Sequence, residues 1–247
     1  MPRSIFQNIY RDIQHGIEQG LYSYQSMLLS ENELCARYGC SRSTVRRALS
    51  ELSRDGYVQP IQGKGVRVIW RPETDENDGY AMGGLESFKQ TAQRIGFVWE
   101  NRVRSFERIR VDRALAQTTG FAEGTPVYRI NRIRLADTFP VSIETSYLLV
   151  EEAPHLTEKV AEDSLYSYLE SIGVGIAMGK RTITVEAATA DDIAVFGLDT
   201  LLAVGVLRGQ HFDTNGIMFE YSEIRQHPYY FSIRETATRP SVVPRLP

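Results

Sequence analysis

SENELCARYGCSRSTVRRALSEL, residues 30–52, spells two short helices and the turn between them. Ser30 and Glu33 have the spacing of a capping box, in which the Ser30 hydroxyl accepts from the Glu33 amide while the Glu33 carboxylate reaches back to the Ser30 amide. A helix is therefore predicted from there through Leu34 and Ala36 to Tyr38. Gly39 can take the positive φ of a helix stop, and Ser41 is an N-cap for a second helix that begins almost at once. Helices joined this tightly must cross steeply, as in a helix-turn-helix. In the second helix Val45, Ala48, Leu49 and Leu52 supply the buried face, which leaves Arg42, Ser43, Thr44, Arg46 and Arg47 on the exposed N-terminal half. Arginine offers paired donors to guanine edges or phosphates, and Ser and Thr hydroxyls suit either, so these five are the candidate contacts to a DNA major groove.

Upstream, Ile5, Ile9, Ile13 and Ile17 recur every fourth residue with Phe6 and Tyr10 beside them, the apolar stripe of a core helix. Downstream, Tyr57–Ile61 and Val66–Trp70 read as two strands around Gly63-Lys64-Gly65, a wing whose Lys64 cation and Gly65 backbone can approach phosphates or a minor groove. The net charge of −3 conceals an asymmetry: up to Arg71 there are ten Lys or Arg against six Asp or Glu, and beyond it eighteen against twenty-five. The basic charge lies where a polyanion would bind. Cys35 and Cys40, with only four scattered His, are too few for a structural zinc and are expected as buried reduced thiols, so no metal and no cofactor are expected. No apolar run approaches a membrane span and the N-terminus has no signal core, so no membrane partner and a cytosolic location are expected.

Taken in order, Leu29–Leu34, Tyr38–Leu49 and Gly63–Gly65 resemble the GntR-type winged helix, over about the first 70 residues. Leu29, Gln25 and Ser26 depart from the proline and glycine common in that family, which touches the loop and not the DNA-facing helix. The resemblance implies that Arg42, Thr44 and Arg46 contact bases or phosphates, with Ser43, Lys64 and Gly65 assisting. It also implies a bacterial source and a homodimer on a palindromic double-stranded operator.

Residues 72–79 are polar, acidic and without periodicity, an expected linker between a winged helix at 1–71 and a second domain at 80–240, with a tail at 241–247. The second part repeats itself weakly at an offset of 76, pairing Glu123 with Asp199, Arg132 with Arg208, Asp137 with Asp213, Glu144 with Glu220 and Ser146 with Ser222. Each copy reads as a short helix, a strand, a turn and a strand, which predicts one antiparallel sheet with helices outside, an α+β domain. Gly84–Phe88, Val127–Arg134, Glu144–Leu148, Asp163–Glu170 and Phe219–Glu223 are similar to the effector domain (UTRA domain) of the HutC branch, which shares its fold with chorismate lyase. Within that branch the likeness is greatest to the repressors of trehalose operons.

Arg132 and Arg134, two apart on a strand, project from one face and can clamp an anion. Ser164 opens an amphipathic helix containing Tyr166, where its hydroxyl and the first amides can seat a phosphate. Ser87 and Phe88, at another helix start, can add amides, and Glu144 and Glu220 can accept hydroxyls from a sugar. The same charged residues can instead be cross-strand ion pairs on a solvated sheet face. Tyr147, Tyr166 and Tyr221 can equally be half-buried core, and His211 and His227 are expected at the surface. The expected effector is a small anion, a sugar phosphate such as trehalose 6-phosphate; an amino sugar phosphate, another organic acid or a fatty acid are the alternatives. A chorismate lyase-like enzyme is the competing function, and the chain lacks both a nucleophile elbow and a base placed beside a nucleophile, so no catalysis is expected.

Overall fold

A computed structural model describes residues 5–71, 80–81 and 85–233, in two compact units, 5–71 and 80–233. The expected linker at 72–79, the end of the expected effector domain at 234–240 and the tail at 241–247 lie outside the described residues.

The first unit runs α1 (Ile5–Glu18), α2 (Glu31–Tyr38), α3 (Arg42–Arg54), β1 (Val58–Ile61) and β2 (Gly65–Val68). The capping box closes as the residue types require: Glu33 N donates to Ser30 Oγ at 3.3 Å and Ser30 N to the Glu33 carboxylate at 2.8 Å. Gly39 takes φ 59°, and Thr44 N donates to Ser41 Oγ at 3.3 Å, so α3 starts directly after α2 stops. Ile9, Ile13 and Ile17 pack with Leu34, Val45, Ala48, Leu49, Leu52, Val58 and Val68 into one core. Ile5 does not join them; it is 54% exposed, while its neighbour Phe6 packs against the core. Cys35 and Cys40 are free thiols only half-buried at its rim. β1 and β2 pair antiparallel across the Gly63 turn, and residues 25–28 add to β2 through Gln25 N to Val68 O and Leu28 N to Val66 O, both 2.9 Å. Gln25 holds φ 65° to do so, a left-handed conformation that glycine adopts more easily.

The second unit runs β3 (Tyr80–Ala81), α4 (Phe88–Ile95), β4 (Trp99–Arg110), α5 (Arg113–Thr119), β5 (Pro126–Ala136), β6 (Phe139–Leu149), α6 (Glu158–Ala161), α7 (Leu165–Ser171), β7 (Ile176–Ala187), α8 (Ala190–Phe196), β8 (Ala203–Asp213), β9 (Met218–Gln226) and β10 (Phe231–Ser232). Six strands form one antiparallel sheet in the order β4-β5-β6-β9-β8-β7. That order reads the same from both edges, with Ser146 paired to Ser222 at the centre, so the repeated serines sit on the twofold axis of the duplication. The duplication is longer than the sequence reading found: α4-β4-α5-β5-β6 is matched by α7-β7-α8-β8-β9. α6 and α7 cover one face, with Ala161, Leu165 and Leu169 against Tyr128, Ile130 and Leu148. α5 and α8 lie on the other, against Val127 and Leu149 and against Ile143, Val204 and Val206. No helix among the described residues is long and apolar enough to cross a membrane.

Candidate functional site

On the face covered by α6 and α7, one cavity opens over the middle of the sheet, with about 880 Å³ of empty space counted to its open mouth. All eight residues singled out from the sequence as effector contacts line it: Ser87, Phe88, Arg132, Arg134, Glu144, Ser164, Tyr166 and Glu220. The duplication is the reason, since Ser87 and Ser164 are the N-caps of the matching helices α4 and α7 and bring both helix starts to one place. Each serine hydroxyl accepts its own helix's third amide, Gln90 N at 3.2 Å and Ser167 N at 3.2 Å, and keeps its hydrogen to donate to an anion.

Arg132 and Arg134 do project together, and both bind Glu144, one to each carboxylate oxygen. The anion clamp and the cross-strand ion pair are thus the same assembly, buried in the cavity floor and not on a solvated face: Arg132 is 3% exposed and Arg134 14%. Burial alone would raise the Glu144 carboxyl, but the two guanidinium groups hold it at about 2. Desolvation lowers Arg132 against the pull of Glu144. The triad keeps one net positive charge facing the cavity. Lys89 and Arg181 add cations to the lining, while Glu86 and Glu220 add carboxylates. Two polar atoms of lining residues, Arg132 Nε and Asn101 Oδ1, are buried without a hydrogen-bond partner. An unpaired buried polar atom costs about 1–3 kcal/mol.

His211 corrects the surface assignment. It is 7% exposed and lines the cavity, with Nδ1 2.8 Å from the Tyr166 hydroxyl and 2.9 Å from the Glu220 carboxylate. Burial and the nearby Glu220 carboxylate push the Tyr166 hydroxyl well above its ordinary pKa, so it remains a neutral hydrogen-bonding group. His227 is buried as well, ringed by Phe139, Phe196 and Tyr230. The offset of 76 also mispairs the arginines. Arg132 lies opposite Glu144, but the residue opposite Glu220 is His211; Arg208 faces the other side of the sheet, bound to Glu186 and Glu223. Gly209 makes room for the imidazole, since a Cβ there would stand 2.8 Å from His211 Nε2. Tyr147 and Tyr221 belong to the opposite face, tilted against each other at 6.3 Å.

In the first unit, Arg42, Ser43, Arg46 and Arg47 are exposed along the N-terminal half of α3, with Thr44 half-exposed. They are not equally available. Glu31 holds Arg46 Nε at 3.0 Å, and the Arg47 guanidinium stacks 3.9 Å from the Phe6 ring centroid. Ser43 and Thr44 hydroxyls share the Ser41 cap at 2.8 and 2.9 Å. Arg42 at the start of α3 and Lys64 at the wing tip make no ion pair among the described residues, and Gly65 takes φ 110° to turn the wing.

Comparison with known proteins agrees with both units. Residues 6–68 match the family described as bacterial regulatory proteins, gntR family, and residues 94–232 match the UTRA domain. The HTH-type transcriptional regulator TreR of Bacillus subtilis is 32% identical over 235 residues, 95% of this chain and 97% of that protein. Among solved structures, the possible transcriptional regulator YydK of Bacillus subtilis superposes with a TM-score of 0.78 at 20% identity, covering 96% of this chain and 100% of that one. The effector binding domain of the B. subtilis trehalose repressor superposes with a TM-score of 0.51 at 23% identity, covering 57% of this chain and 99% of that one.

Proposed function

The chain belongs to the gntR family of bacterial regulatory proteins and carries a UTRA domain, and we propose that this transcriptional repressor is a homodimer released from a palindromic operator by a sugar phosphate, trehalose 6-phosphate. The observation that carries the effector class is the gathering, in one cavity, of the Arg132–Glu144–Arg134 triad with the N-caps Ser87 and Ser164. The phosphate lies against Arg134, the Ser87 and Ser164 hydroxyls and the first amides of α4 from Phe88. The sugar lies toward Tyr166, His211, Glu220 and Asn101, whose acceptor atoms take its hydroxyl hydrogens. The likeness to TreR supports trehalose as the sugar. An amino sugar phosphate is a second reading, favoured by the Glu220 carboxylate, whose only ion-pair partner among the described residues is His211.

The thermal midpoint of the purified protein tests the effector. A ligand at about 100 times its Kd stabilises the native state by roughly 2.7 kcal/mol, several degrees. The expected rise occurs with trehalose 6-phosphate and not with trehalose. A rise with glucosamine 6-phosphate instead selects the second reading, and no rise with any sugar phosphate contradicts both.

On the DNA side, Arg42 and Lys64 make the leading contacts, with Ser43, Thr44, Arg46, Arg47 and Gly65 around them. Arg42→Ala is expected to weaken operator binding by about 1–3 kcal/mol and to relax its sequence preference while leaving effector affinity unchanged. Electrophoretic mobility shift on matched and mismatched operators reads both; an unaltered affinity would remove the start of α3 from the interface.

A further inference from the structure

The sheet carries a second cleft on the face turned away from the effector cavity, floored by β4, β5 and β6, with about 740 Å³ of empty space counted to its open mouth. Side chains alternate along a strand, so Asn131 and Thr145 line this cleft while their neighbours Arg132 and Glu144 line the effector cavity. A bulge in β4 completes the wall. Val103 pairs with Arg132 and Ser105 with Asn131, which makes Arg104 the extra residue between them. Bulges occur beside functional sites, where they re-aim a side chain. Here the guanidinium reaches Asp191 of α8 through two bonds, Nη1 to Oδ2 at 2.7 Å and Nη2 to Oδ1 at 2.9 Å.

We propose that this cleft binds a neutral monosaccharide of hexose size, separately from the effector. Its charges are balanced: Arg104 is met by Asp191, and Arg129 donates from Nη2 to the Glu107 carboxylate at 2.7 Å. A phosphate therefore finds no net positive charge like that of the effector cavity. A sugar hydroxyl both donates and accepts, and can join such a pair without breaking it. A guanidinium has five N–H donors and a carboxylate about four acceptor positions, of which the Arg104–Asp191 pair uses two of each. The Ser105 and Tyr147 hydroxyls make no hydrogen bond among the described residues. Asn131 donates to Thr145 Oγ1 at 2.9 Å and keeps its side-chain oxygen. The Tyr147 ring adds an apolar surface for the C–H face of a sugar. The floor spans two strand spacings and one same-face step, about 10 Å by 7 Å, which suits one sugar ring and not a disaccharide.

The duplication marks these uncommitted groups as particular to one half. Arg132 opposite Glu144 matches His211 opposite Glu220, so the counterpart of Arg129 is Arg208 and that of Tyr147 is Glu223. Arg208 has its guanidinium taken up by Glu186 and Glu223, with Nε donating to Glu223 at 2.6 Å. In the first half a tyrosine stands where that second carboxylate would be. Arg129 is bound by Glu107 alone among the described residues, which leaves its other donors for a ligand.

Equilibrium dialysis of the full chain against radiolabelled D-glucose tests the cleft. Saturable binding of one molecule per chain, in the millimolar range, is expected. Ser105→Ala combined with Tyr147→Phe removes two hydroxyls that hold nothing in the fold, so the thermal midpoint should stay where it is. Glucose affinity should fall about tenfold or more, as the loss of two hydrogen bonds requires. Arg134→Ala, in the effector cavity, is expected to leave glucose binding as it was. An absence of saturable binding overturns the site. Binding that survives the double variant, or that is lost with Arg134→Ala, overturns it as well and puts the sugar in the effector cavity. Failure here leaves the sugar phosphate reading standing, because that reading rests on the other face of the sheet.

Discussion

Glu144→Gln is expected to lower the unfolding free energy by about 3–5 kcal/mol, the cost of leaving buried charge uncompensated. Arg132 and Arg134 share this one carboxylate in the cavity floor, and the amide that replaces it carries no charge to balance either. Urea unfolding monitored by circular dichroism measures the loss. The variant should also change the acid limb. Glu144 titrates at about 2 in the folded chain, below its ordinary range near 4.3 when unfolded, so its stabilisation is complete above about pH 4.3 and drains away as pH falls toward 2. Between those values the wild type should lose stability more steeply than the variant. Inorganic phosphate should restore part of the lost stability at neutral pH, because an added anion takes the place of the carboxylate. A variant as stable as the wild type would mean that the triad is not held together as described.

Arg134→Ala is expected to weaken effector binding by about 2–5 kcal/mol, roughly 30-fold or more, while operator binding in the absence of effector stays as it was. Arg134 is the more accessible of the two arginines, and its guanidinium lies 5.4 Å from the Phe88 ring centroid at the start of α4. Its loss removes the net positive charge of the triad while Arg132 continues to compensate Glu144, so the fold is spared the larger penalty. Calorimetric titration with trehalose 6-phosphate gives the affinity directly. Undiminished binding would locate the phosphate elsewhere in the cavity.

Much of the first unit was legible because its determinants are local. A serine three residues before a glutamate, a glycine at a helix end and a serine after it fix α2, the turn and α3 through bonds only a few residues long. Ile5 escaped because periodicity marks a face and not where the core beneath it ends. In the second unit the matched serines and glutamates of β6 and β9 revealed the duplication, yet its outer half did not show, since β4 and β7 keep a length of twelve residues with almost no residue in common. His211 was missed for a related reason. Its place opposite Glu220 is set by the register of β8 on β9, which the offset of 76 does not give, because that offset sets Arg208 and not His211 against Glu220. The alternation Leu207, Gly209, His211 was the available signal, placing the histidine on the face that a leucine and a glycine share with the cavity.

Release of the operator is the most direct test of the account. Duplexes selected by the protein from a random pool supply a labelled operator, and fluorescence anisotropy follows the complex as trehalose 6-phosphate or trehalose is added. The account predicts that the phosphorylated sugar alone weakens operator binding, by about 5- to 150-fold, the usual reach of coupling between two sites. An operator complex indifferent to trehalose 6-phosphate and to every other sugar phosphate would contradict it.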